Sequence, residues 1–288
     1  MDERLVTVVW FAVIAAMPIV CLFVMSRPHW SQRRAQQTAL RAGPPLGSDA
    51  LRTRVANAVR ARATVNMWAA LLAIVAYGAV AVVAPAAANA STAWLLLLVL
   101  VCGVFAVTGV VYQTRHPLFT PPTHAVRVAH VRRVRTAHYL GRTLTALPRV
   151  LLALAAVGTA VVVPLAHPTN RPLIILVVCF TAALIVSSWT LWMEHHVLAA
   201  PQAAGDALEL AWDDLFRANT VNTLRMAAAM ASSLPVGALL MTAISSGASA
   251  PTTTAFTFVG IPFVQLVYLA GADRVRPPLR PTLTGGLA

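Results

Sequence analysis

One wholly apolar stretch occurs twice in this chain, from Leu71 to Val83 and, 80 residues on, from Leu151 to Val163; seven of the 13 aligned positions are identical, Gly78 and Gly158 among them. Neither copy has a polar face, so neither can be the half-buried helix of a water-soluble domain. With its flanks each is long enough to cross a bilayer, which takes about 20 apolar residues. The whole chain fits that class: 58% of its 288 residues are hydrophobic and 11% charged, where soluble domains have about 25% charged.

The formal charge of +13 would suggest nucleic acid as partner for a soluble protein. In a membrane protein it is first a topology signal, because arginine-rich connections stay in the cytoplasm. Seven spans are expected, at about residues 5–25, 66–84, 92–112, 149–166, 173–193, 226–246 and 253–272. The first is read as retained rather than as a cleaved signal, because Asp2 and Glu3 spoil a basic leader and the apolar run exceeds the usual length. Placing the N-terminus outside and the C-terminus in the cytoplasm puts 20 of the 22 arginines inside, with only Arg4 and Arg171 outside. Trp68, Trp94, Tyr112, Trp189 and Trp192 fall near span ends, where amphipathic rings anchor at the headgroups. All basic residues are Arg, and with the heavy use of Ala, Val and Pro this reads as a bacterial plasma-membrane protein.

The repeat extends beyond its seed. At the offset of 80, Arg52 matches Arg132 and His116 matches His196; at an offset of 157, Asp49-Ala-Leu51 matches Asp206-Ala-Leu208, and Arg60-Ala61 matches Arg217-Ala218. The expected fold is therefore a single all-α transmembrane domain, 1–288, of one leading helix and three helical hairpins, each introduced by a short amphipathic cytoplasmic linker helix. The units run about 47–117, 123–197 and 203–272.

Most polar chemistry lies in those linkers. Asp206 and Glu209 have the spacing of a capping box; after them Leu208, Trp212, Leu215 and Phe216 form an apolar face, opposite Glu209, Asp213 and Arg217. Leu51, Val55 and Val59 repeat the rhythm among Arg52 and Arg54, and Val128, Val131 and Val134 do so among Arg132, Arg133 and Arg135. Such faces suit anionic lipid headgroups, a cytoplasmic protein or ATPase, or each other as one packed cap.

Catalytic signals are poor. Asp213-Asp214 is an acid pair without a second acidic cluster, and Asp213 stands four residues before Arg217, as surface ion pairs do. Glu194-His195-His196 lacks zinc-site spacing, the cysteines (Cys21, Cys102, Cys179) form no ligand pattern, and no Walker or nucleophile-elbow motif occurs. No metal or cofactor is expected, and the chain leans away from enzyme chemistry. Ser232, Ser233, Pro235, Pro262 and Gln265 mark where a cavity between spans six and seven would lie, the prolines freeing carbonyls toward it. The leading functional expectation is a small permease, or the membrane subunit of a transport system, for an uncharged or lipid-like solute. The alternative is a non-catalytic scaffold or sensor whose arginine-rich face binds anionic lipid or a protein.

Overall fold

Three helices begin in polar linker sequence and run without a break into apolar span, because a change of solvent does not interrupt the backbone ladder unless proline or glycine does. The computed structural model describes residues 16, 18–42, 44–83, 103–104, 106–112, 136–165, 171–200 and 207–245. Its helices are α1 (Pro28–Ala42), α2 (Asp49–Val83), α3 (Thr136–Tyr139), α4 (Arg142–Val162, continued by a short 3-10 turn to Leu165), α5 (Arg171–Ala199) and α6 (Ala207–Ser245). Residues 18–26 and 106–112 are helical as well. Among the described residues there is no strand. Asp49–Ala79, Arg142–Val162 and Leu176–Ala199 are each long and apolar enough to cross a membrane.

The expected first and third linker helices are thus not separate elements. The first forms the opening turns of the 35-residue α2, and the third those of the 39-residue α6. Of the expected spans one and three only residues 16 and 18–25, and 103–104 and 106–112, are described; span seven lies outside the described residues. Helix α1 was not expected within the first linker. It forms because Ser31 and Ala35, one turn apart, are buried, while Gln32, Arg33, Arg34, Gln36 and Gln37 between and beyond them stay exposed. Its inward face is made of small residues rather than large apolar ones, so hydropathy gives it no signal.

The chain divides into two compact units, one of residues 1–131, 201–216 and 279–288, the other of 132–200 and 217–278. In the first, α1 packs antiparallel on the linker half of α2. Ala35, Leu51, Val55, Ala56 and Ala58 form a core with Trp212, Leu215 and Phe216, and Val59 and Leu208 pack against it. Two of the three apolar linker faces foreseen in the sequence meet here; Val128, Val131 and Val134 lie outside the described residues. Gly47 makes the turn into α2 with φ +60°, and a Cβ there would also lie 2.6 Å from Leu208 Cδ2; only glycine serves both needs.

In the second unit the spans show the pattern of a membrane environment, with large apolar side chains outward and small ones inward. On α4, Val150, Leu154, Val157 and Val161 are exposed and Ala155 is fully buried. On α5 the buried positions Leu173, Leu176, Ala183, Ser187, Thr190, Glu194 and Val197 advance by alternating three- and four-residue steps once half-buried Phe180 is included. That seam is the signature of shallow helix crossing. Gly158 lets α4 approach α6, since a Cβ there would stand 2.4 Å from Leu239 Cδ1; its repeat equivalent Gly78 has nothing within 4 Å.

The two glycines should therefore respond oppositely to substitution. Gly78→Ala is expected to leave α2 unchanged or to stabilise it by up to about 1 kcal/mol through helix propensity. Gly158→Val should destabilise by about 1–3 kcal/mol through overpacking. Unfolding midpoints in detergent check both.

Candidate functional site

From Leu210 to Ser233 helix α6 is buried on nearly every face, and it carries polar groups throughout: Asp213, Asp214, Arg217, Thr220, Asn222, Arg225, Ser232 and Ser233. This corrects the expectation of an exposed charged face. Asp213 and Arg217 are both buried. The reason is that Trp212, Leu215 and Phe216 occupy one side in the core with α2, while later turns face α5.

Against α5 the polar groups of α6 meet partners in antiparallel register. Ser187 Oγ and Ser232 Oγ are 3.4 Å apart. Seven residues along each helix, about 10 Å at 1.5 Å per residue, Arg225 Nη2 donates to Glu194 Oε1 at 2.9 Å. Arg225 Nε also stands 2.7 Å from Glu194 Oε2, but its angle forms no hydrogen bond, so that contact is purely electrostatic. Thr136 of α3 donates its hydroxyl to the same Glu194 Oε1. Both charged side chains are buried, 5% and 7% exposed, which makes the pair neutral as a unit and ties three helices together. Farther down, Arg217 Nη1 donates to the carbonyls of Val197, at 3.1 Å, and Ala200, at 2.7 Å. A guanidinium there satisfies carbonyls left open where α5 ends and complements the negative end of its dipole.

The serines proposed as cavity lining are buried but turned to their own helix: Ser232 Oγ donates to the Ala228 carbonyl at 2.8 Å and Ser233 Oγ to that of Met230 at 2.7 Å. Pro235 lies inside α6 and has no N–H to give the Ala231 carbonyl. Asn222 Oδ1 is buried with no hydrogen-bond partner among the described residues. Pro262 and Gln265 lie outside the described residues, as do Arg132, Arg133, Arg135, Asp206 and Cys102.

In the first unit, Glu209 does not complete a described cap; its Oε1 accepts from Arg54 Nη1 at 3.3 Å. Arg52 pairs with Asp49 at 3.4 Å on the surface. Trp212 donates its indole N–H to the Pro45 carbonyl at 3.1 Å, and Arg62 Nη1 donates to the Phe216 carbonyl at 3.2 Å. A shallow cleft of about 330 Å³ opens between Ser48, Ala50, Leu51, Arg54, Leu208 and Glu209. His195 and His196 are exposed, and His196 stacks on Trp192 with ring centroids 6.3 Å apart. Among the described residues no three His, Cys, Asp or Glu side chains gather to hold a metal ion.

Sequence reasoning named Glu194 only as part of a histidine run and Arg225 only as a topology charge. Their pairing depends on the register between two helices, which a single sequence does not display. The one available signal was position: Glu194 follows span five immediately and Arg225 immediately precedes span six.

Removing one partner leaves a buried charge uncompensated. Arg225→Leu is expected to cost about 3–5 kcal/mol, and adding Glu194→Leu should recover part of that loss. Denaturant titration of the two single variants and the double variant in detergent measures the coupling; strictly additive losses would show the pair to be inert.

Comparison with family models, curated proteins and solved structures finds no match to this chain. The class of the protein therefore rests on its physical features: regular structure that is all helical among the described residues, with three helices there fit to span a membrane.

Proposed function

We propose that the chain is a seven-span plasma-membrane protein, N-terminus outside and C-terminus cytoplasmic, that moves an uncharged or lipid-like solute as a small permease or as the membrane subunit of a transport system. The observation that carries this reading is the polar seam between α5 and α6. Polar side chains deep in a membrane bundle are costly and tend to mark pathways. Here Ser187, Thr190 and Ser232 are buried along the seam, with the Glu194–Arg225 pair at its cytoplasmic end. Because that pair is neutral as a unit, the stretch of the seam from Ser187 and Ser232 to Glu194 and Arg225 offers no net charge to hold an ion, which favours a neutral solute over an ion-coupled one.

Two further observations support the repeated architecture of one leading helix and three linker–hairpin units. Core residues of the first unit come in pairs separated by 157 residues, Leu51 with Leu208, Val55 with Trp212, Ala58 with Leu215 and Val59 with Phe216. Equivalent arginines also do equivalent work: Arg60 donates to the Ser26 carbonyl at 3.3 Å, where helix 18–26 ends, as Arg217 does for α5.

The reading is tested with purified protein in proteoliposomes, following uptake of small neutral solutes and inward movement of a fluorescent phospholipid analogue. Faster flux of at least one of them than in protein-free vesicles is expected, and Ser187→Leu/Ser232→Leu should slow it by about tenfold, equivalent to about 1.4 kcal/mol of barrier. Flux equal to protein-free vesicles for every solute would favour the non-catalytic scaffold instead.

A further inference from the structure

Arg60 and Arg217 occupy the same place in the repeat, yet their surroundings differ. Arg217 is 5% exposed and spends its guanidinium on two carbonyls inside the protein. Arg60 is exposed and, among the described residues, makes one hydrogen bond, from Nη2 to Ser26 O. That bond brings Arg60 to the residue preceding Arg27, which is also exposed and whose guanidinium carbon lies 5.7 Å from the centre of the Phe23 ring. No carboxylate pairs with either arginine among the described residues.

Their height along the helices identifies what they face. Phe23 and Val24 on one helix and Val65, Trp68 and Leu72 on α2 are exposed large apolar residues, so hydrocarbon contact begins there. Arg27 follows Val24 by three residues and Arg60 precedes Val65 by five, about 5–8 Å at 1.5 Å per residue. Both therefore stand at headgroup level. Because α2 is one continuous helix and α1 packs antiparallel on it, Arg41 and Arg52 lie at the far end of the hairpin. Arg52 precedes Arg60 by eight residues, about 12 Å at 1.5 Å per residue, which is beyond a physiological Debye length of about 8 Å.

We propose that Arg27 and Arg60 form a binding site for the phosphate of an anionic phospholipid in the cytoplasmic leaflet, with Phe23 and Trp68 against its acyl chains. The donors that Arg217 turns on protein carbonyls, Arg60 turns on lipid. The proposal rests on the membrane reading above, and it narrows the basic surface to two residues, leaving the distal arginines to the aqueous phase.

The test uses the full chain reconstituted in vesicles of phosphatidylcholine with or without phosphatidylglycerol, followed by flotation and native mass spectrometry of the co-purified lipid. Wild-type protein should retain phosphatidylglycerol preferentially, less so at high salt. Arg27→Gln/Arg60→Gln should lower the preference about 30-fold, from about fivefold per surface charge. Arg27→Lys/Arg60→Lys, which keeps charge and fold, should retain most of it, as should the distal Arg41→Gln/Arg52→Gln. Should the double glutamine variant fail to fold, Arg27→Gln alone should still lower the preference about fivefold. An unchanged preference in the Arg27 and Arg60 variants, or an equal loss in the distal pair, overturns the site. Flotation with no lipid preference sinks the site alone, whereas failure to float with either vesicle sinks the membrane reading with it.

Discussion

The contact on which the first unit depends is the burial of Trp212 against Val55. Both are fully buried, and around them Leu51, Ala56, Ala58, Leu215 and Phe216 close a core that lies on the polar side of the spans. Residues there are in water when unfolded, so their burial draws on the ordinary hydrophobic effect, which is not available between helices already in lipid. An indole hydrogen bond to Pro45 and the Arg62 bond to Phe216 fix the surrounding backbone. Because the linker turns are continuous with the spans, fixing the linkers also fixes the rotation of α2, and of the first turns of α6, about their axes.

Within the spans a different physics applies. Association there relies on close packing and on polar contacts, and the second unit uses both: Gly158 against Leu239, and the Ser187, Glu194 and Val197 turns of α5 against Ser232, Arg225 and Arg217 of α6. Arginine has three roles in this chain. It marks the polar linkers off from the apolar spans, it donates to backbone carbonyls, at or near helix ends at Ser26, Val197 and Ala200 and within α6 at Phe216, and at position 225 it neutralises a buried carboxylate. The rigid multi-donor fork of guanidinium suits the last two in a way lysine would not.

What was legible in the sequence follows from which signals are local. The apolar spans and the linker faces of Leu51, Val55, Trp212 and Phe216 could be read because period and hydropathy are properties of consecutive residues. The joining of linker and span into one helix was missed because the change from arginine-rich to apolar sequence marks a solvent boundary, and nothing breaks the backbone there. Helix α1 escaped because Ser31 and Ala35 fill its contact face with small side chains. The Glu194–Arg225 pair, 31 residues apart, escaped because only helix register brings it together. The exposed surface assigned to Asp213 and Arg217 was wrong because spacing along one helix says nothing about what packs on its other faces.

Amide hydrogen exchange of the full chain in lipid, comparing wild type with Trp212→Ala, tests the central claim that the two linker faces form one core. Residues 51–59 and 208–216 should both be protected in the wild type and should lose protection together in the variant, although only one segment is altered. Loss confined to residues 208–216, with 51–59 exchanging as before, would contradict the account.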